Sequence, residues 1–515
     1  MQTRKLGAGL AASAFALLLA APAAFAQPAP LTLTLEDYAE APITGDWAQI
    51  SAVGQAARLN MAKVEPGQRR LFLNDQTGVL YVLDKATRRP APYLNVREAF
   101  PRLVPDGSYA SGFYGFAFDP DYARNGVFYT VHLEDIRSTA AASTLPGYAP
   151  TPAVQTPNGG QPLTREAVLV EWTDSNVRDA RFTGSAREVL RVALANGVHP
   201  MGEIGFNPAA HRGDADWRTL YIGIGDSGTG ETNDVRRLNP QRLDVFGGKI
   251  LRIRPDLKET AGAARVSENG RYRIPDDNPF VAIAGARPEI WAYGMRNPHR
   301  IAWDVDPAKP REAKLLAFVI GSNAGTPRFE TIDVIRRGAN YGYPLREGAE
   351  AKPANAIVGE IAADGTVPQR VSDTGVTGAR VKLESAALQY KTTVDGDAIA
   401  GGFVYRGRML PALRGKLVFG DITTGRIWYA EPSQLYAADD GDPSTMAPIH
   451  QLTTDLPAQV RAKHRARGGP ATGPTGAAPA SGRGRIDLRL AEDADGEILL
   501  LTKPDGMVRR VTVAR

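Results

Sequence analysis

The chain has 515 residues, with 61 lysines and arginines against 56 aspartates and glutamates, a formal net charge of +5. No surplus of basic charge is available to follow a phosphate backbone, which argues against a nucleic-acid binder. Cysteine is absent, which excludes disulfides, thiolate metal sites, iron–sulfur clusters, cysteine nucleophiles and covalent haem attachment, so any redox chemistry must use a borrowed cofactor.

The first 26 residues have the pattern of an export signal: Arg4 and Lys5, an apolar run over 6–21, and Ala24-Phe25-Ala26 before Gln27. The expectation is a cleaved signal peptide and a mature chain that is periplasmic or secreted, and no later run is long and apolar enough to predict a membrane span. With 53 glycines and 38 prolines, the rest reads as short β-runs separated by tight turns, without the 3.6-residue period of long amphipathic helices. Strand pairs are predicted at 71–83, 113–132, 204–225, 301–320, 403–429 and 488–511. Several share one pattern, an apolar strand, an Asp-Pro, Asn-Pro or Asp-Gly turn, and a second strand rich in aromatic and β-branched residues. Six such units fit an all-β six-bladed β-propeller spanning 27–515 as one domain. Their wide spacing requires long inter-strand insertions, expected at about 138–161, 350–378 and 461–485. The last is rich in Gly, Pro, Ala and basic residues and is expected to be a mobile loop outside the blades.

Familiar catalytic and metal signatures are missing. The six histidines have neither H-x-H nor i, i+4 spacing, which gives no zinc site. Gly225-Asp226-Ser227-Gly228 is not a nucleophile elbow and reads as a β-turn closing LYIGIG. Asp495-Gly496 reads as a hairpin turn rather than part of a calcium loop. Three loops at strand edges stand out instead. His199 lies in a Gly- and Pro-bearing turn before a strand, Arg296 and Asn297 precede another strand, and Arg406 sits beside glycines in GGFVYRG. Cations and a histidine on loops feeding one propeller mouth suggest a planar, polyanionic ligand gripped through carboxylates.

At these residues the sequence resembles the glucose/sorbosone dehydrogenase family, soluble quinoproteins that use pyrroloquinoline quinone (PQQ) on a six-bladed propeller. The segments that carry the resemblance are SGFYGFAFDPDYARNGVFY, HPMGEIGFNP, LYIGIGDSG, LNPQRLDVFGGKILRIRPD, YRIPDDNPF, EIWAYGMRNPHRIAWD, IDVIRRGANYGYPLREG and GGFVYRGRMLPALRGKLVFGD, in that order. The resemblance implies oxidation of an aldose sugar or related alcohol with PQQ and Ca²⁺, electrons passing to an external acceptor. It implies His199 as general base and the pair Arg296 and Asn297 on the quinone and substrate oxygens. It also implies Arg406 on a PQQ carboxylate, a closing arginine pair near Arg485 and Arg489, and a calcium held by the backbone carbonyls of Gly325 and Thr326. The chain departs from the family pattern at Ala110, Val198, Pro200, Met201 and Asn323, each bulkier or less polar than the usual residue or lacking its charge. These departures leave open a second reading, a non-catalytic exported propeller that binds a sugar or a protein partner.

Overall fold

Runs of Val, Ile, Leu, Phe, Tyr and Trp only four to eleven residues long, cut by glycine turns, cannot bury both faces of a sheet alone, and they do so here by radial stacking. The computed structural model describes residues 30–47, 54–105, 110–474 and 484–515, and the expected signal peptide lies outside the described residues. Six antiparallel sheets form the blades of a β-propeller. Blade 1 consists of Leu59–Val64, Leu71–Asp75, Val79–Leu83 and Pro90–Asn95. Blade 2 contains Phe113–Phe118, Val127–Asp135, Arg165–Asp174 and Gly184–Leu194, with Val154–Gln155 added in parallel at its edge. Blade 3 is built from Met201–Phe206, Leu220–Ile224, Lys249–Ile253 and Ile290–Tyr293. Blade 4 follows with Asn297–Val305, Ala313–Ile320, Phe329–Ile335 and Leu388–Lys391, and blade 5 with Ile399–Val404, Leu417–Asp421, Ile427–Ala430 and His450–Leu452. Blade 6 takes Leu488–Glu492, Ile498–Thr502 and Met507–Ala514, and its outermost strand is the N-terminal Leu33–Glu40.

The first strand of each blade packs against the first strands of both neighbours, and that ring encloses the central channel. Leu33–Glu40 pairs antiparallel with Met507–Ala514, so an N-terminal and a C-terminal strand share one sheet and close the ring. Apolar cores fill each space between blades. Phe72, Phe116 and Trp172 lie between blades 1 and 2, where Trp172 stacks on Phe128 and donates to Thr130 Oγ1 at 2.8 Å. Leu499, Leu501, Leu59 and Leu73 lie between blades 6 and 1.

The insertions carry local structure of their own. Within 138–161, Ser143 Oγ and Thr144 N donate to Ala99 O, and Thr151 N donates to the buried Glu188 carboxylate. Within 350–378, Thr366–Arg370 forms a hairpin with Val376–Lys382. The expected mobile insertion at 461–485 needs the clearest correction. Residues Leu456–Ala466 are an α-helix whose Leu456, Val460 and His464 are fully buried. Its end is anchored by Arg467, which donates to Asp505 O at 2.6 Å and Ala41 O at 2.7 Å. Spacing of four residues puts the buried side chains on one face, a signal that the run of basic charge obscured. Residues 475–483 lie outside the described residues.

Candidate active site at the propeller mouth

The first strands of the blades all begin at one end of the channel, so residues just before them, and those following the second strands, converge there. Met201 pairs with Ile224 across blade 3, which brings the loop before Met201 to the turn after Ile224. His199 Nδ1 thereby lies 2.7 Å from Asp226 Oδ1. Asp226 also accepts from the N–H groups of Gly228 and Gly230, each at 2.8 Å, which fixes its carboxylate. The His199 loop is clipped to the same turn, as Asn196 Nδ2 donates to Ser227 O. His199 has φ +50°, in the left-handed region that is uncommon for residues other than glycine. Gly225 permits the approach: a Cβ there would stand 2.5 Å from His199 Cβ and 2.7 Å from Asn297 Oδ1.

Arg296 is buried and joins this group from blade 4. Its Nη2 donates to Glu231 Oε2 at 2.9 Å, and Asp226 N donates to Arg296 O. Glu231 Oε1 in turn accepts from the backbone N–H groups of Asn323 and Ala324, at 2.7 and 3.0 Å. The carboxylate thus ties Arg296 to the exposed loop that carries Gly325 and Thr326. Asn297, 5% exposed, opens the inner strand beside His199.

Burial, reinforced by the Arg296 charge, pushes the His199 imidazole below its usual pKa, while Asp226 and Glu231 pull the other way. Burial alone would raise the Asp226 carboxyl, but His199 and Arg296 hold it below the ordinary range. An ionised Asp226 facing Nδ1 keeps the ring proton there and leaves the lone pair on Nε2, the tautomer a general base requires.

Arg485 and Arg489 reach the mouth from blade 6 and gather around the buried Asp487, at 3.5 and 3.7 Å. Asp487 is pulled down to about 2 by Arg485, Lys503, Arg489 and Arg58 against its own burial, and burial lowers Arg489 to about 10. Arg489 Nε donates to Asn60 Oδ1 at 3.0 Å, and Arg300 Nη2 reaches the same oxygen at 3.2 Å. Ala110 is buried at this end of blade 2, and Pro200 and Met201 are buried behind His199.

Arg406 is not part of the mouth. It follows the far end of Ile399–Val404, where its Nη2 pairs with Asp304 Oδ1 at 2.7 Å near the far end of Asn297–Val305. GGFVYRG resembles a mouth loop, but its strand runs away from the mouth and carries Arg406 to the opposite face. Sequence reasoning missed Asp226, Glu231, Asp487 and Lys503. Asp226 had a readable signal, since pairing HPMGEIGF with LYIGIGDSG places residue 199 opposite residue 226. Asp487 lies between Arg485 and Arg489, two residues from each, so that spacing was its signal; Glu231 and Lys503 had none, because their partners are remote in sequence.

The fold agrees with the family comparison. The model for Glucose / Sorbosone dehydrogenase matches residues 59–440. The chain belongs to that family. It is 26% identical over 398 residues to the HIPL1 protein of Arabidopsis thaliana, covering 74% of this chain and 53% of that protein. It is 24% identical over 357 residues to human Hedgehog-interacting protein, covering 69% of this chain and 39% of that one. The chain therefore spans about half the length or less of these family relatives. The PQQ-bound aldose sugar dehydrogenase from Streptomyces coelicolor has the same fold, with TM-score 0.52 and 17% identity over 94% of this chain and 100% of that one.

Among the described residues of this family member no three His, Asp or Glu side chains converge as a metal site. A calcium ion here would rest on backbone carbonyls, hard oxygen donors of the right chemistry, and Gly325 and Thr326 lie on an exposed loop. For a planar tricarboxylate such as PQQ the donor set is favourable. Arg489 and Arg485 sit together around the shared Asp487 carboxylate, and Arg296 Nε is buried without a hydrogen-bond partner among the described residues.

Proposed function

We propose that the protein is a PQQ- and Ca²⁺-dependent dehydrogenase that oxidises an aldose sugar or related alcohol and passes the electrons to an external acceptor. The observation that carries this reading is the Asp226–His199 pair opening on the same mouth as Arg296 and Asn297. Arg485, Arg489, Arg296 and Asn297 would hold the cofactor, and the Gly325 and Thr326 carbonyls the calcium. When bound, PQQ supplies the two-electron acceptor for hydride from the substrate carbon.

The chain's own part is proton transfer and charge placement. A substrate hydroxyl does not release hydride readily unless its proton leaves too, and His199 Nε2 takes that proton. Asp226 holds the ring in the accepting tautomer and stabilises the imidazolium that results. Arg296, anchored by Glu231, holds a permanent positive charge where negative charge develops. Burial of the ring keeps His199 neutral, and so basic, at pH 7.

The likeness to Hedgehog-interacting protein favours one alternative, a propeller that binds a partner protein without catalysis. Reconstitution with PQQ and Ca²⁺ followed by dye-coupled oxidation of a panel of aldoses separates the two. Turnover of at least one sugar supports the enzyme, and PQQ-independent inactivity across the panel supports the binding propeller.

A further inference from the structure

Beyond the arginines, the mouth contains a buried lysine that has no carboxylate within ion-pair distance among the described residues. Lys503, 2% exposed, follows Ile498–Thr502 on blade 6, and its Nζ makes one hydrogen bond among the described residues, to Gln76 Oε1 at 2.6 Å. An ammonium has three N–H groups to place, so two are left over. Gln76 is fully buried on blade 1, and its backbone is pinned: Gln76 N donates to Arg58 O and Gln76 O accepts from Phe113 N, each at 3.0 Å. The bond from Lys503 decides which way its amide points, because a flip would set NH₂ against NH₃⁺. Its Nε2 is then a buried donor without a hydrogen-bond partner among the described residues. Two adjacent buried groups thus offer N–H donors with nothing to receive them, which costs free energy unless an acceptor arrives.

The electrostatics agree on the charge of that acceptor. Arg58, Arg485 and Arg489 act on Lys503 together with one carboxylate, Asp487. Burial, then the Arg489 charge, pushes the Lys503 ammonium well below its usual pKa, with Asp487 opposing. A neutral hydroxyl would satisfy the hydrogen bonds but not the charge. A carboxylate satisfies both.

We infer that Lys503 and Gln76 form a carboxylate-binding pocket on the side of the mouth between blades 6 and 1, distinct from the Arg296 and Asn297 side. The pocket rests on the function proposed above only for the identity of one ligand source. The carboxylate belongs either to the cofactor or to an acidic sugar substrate, and the test separates them.

Full-length wild type, Lys503→Met and Gln76→Glu are titrated by calorimetry with PQQ in Ca²⁺ and, separately, with D-glucuronate, and each apo-protein is melted. Lys503→Met is expected to weaken one or both probes by at least about tenfold, the range for a charged hydrogen bond. Its apo-protein should melt no lower than wild type, because a buried charge without full compensation is removed. Gln76→Glu gives Lys503 an internal carboxylate, and should raise the melting temperature while weakening the same probe. Loss of PQQ binding alone assigns the pocket to the cofactor, and loss of glucuronate alone assigns it to the substrate. If wild type binds glucuronate through Lys503 but not PQQ, the pocket stands and the PQQ reading falls. Both probes binding Lys503→Met as tightly as wild type overturns the pocket, as does wild type binding neither.

Discussion

His199 is held by Asp226 through Nδ1, so at the scale of single residues its removal should cost chemistry rather than binding. His199→Ala should lower kcat by about 10²–10⁴-fold while PQQ affinity is unchanged, measured by dye reduction and calorimetry. The direction of the His199 pKa fixes the pH profile. A general base works deprotonated, so activity falls as pH drops through its pKa. Burial and Arg296 lower that pKa, which places the acid limb of kcat/KM below the ordinary histidine value of 6.5. A limb above 6.5 would contradict the assignment. Arg406 gives the contrasting expectation. Its pairing with Asp304 on the opposite face, with more than a third of the side chain exposed, makes Arg406→Ala neutral for PQQ affinity and worth no more than about 1 kcal/mol in stability. Weakened PQQ binding in Arg406→Ala would restore it to the site.

The strands were legible because alternation and turn chemistry are local, and the blades follow from repeating them. Which end of a strand a loop occupies is not local. His199 and Arg296 precede their strands and arrive at the mouth, whereas Arg406 follows its strand and does not, though the three loops look alike in sequence. Glu231 was invisible for the related reason that a buried carboxylate is chosen by a charge brought to it from another blade, here Arg296. The helix Leu456–Ala466 was hidden by its composition. Its basic residues fall where a mobile loop is expected, yet Leu456, Val460 and His464 share one buried face. Leu456→Ala should therefore cost about 2–5 kcal/mol, seen as a lower unfolding midpoint. Limited trypsin digestion of the native protein should spare Arg461, Lys463 and Arg465, and early cleavage at these sites would mean that the helix does not dock.

Across the whole molecule, stability is shared around a ring, because each blade buries its faces against two neighbours and none is complete alone. Leu33–Glu40 and Met507–Ala514 form the one sheet made from both ends of the chain. Removing 507–515 should abolish cooperative melting of the entire propeller rather than of one blade, since it exposes a sheet edge and opens the core between blades 6 and 1. A truncated chain that melts like the full-length protein would contradict closure. The ring also explains the site, since blades 3 and 4 bring His199 and Arg296 while blade 6 brings the cations around Asp487, and ring closure gathers them at one mouth. The most direct test of that convergence is equilibrium titration of the purified protein with PQQ in Ca²⁺, followed by calorimetry. The account requires saturable binding of one PQQ per chain, and the absence of saturable binding would contradict it.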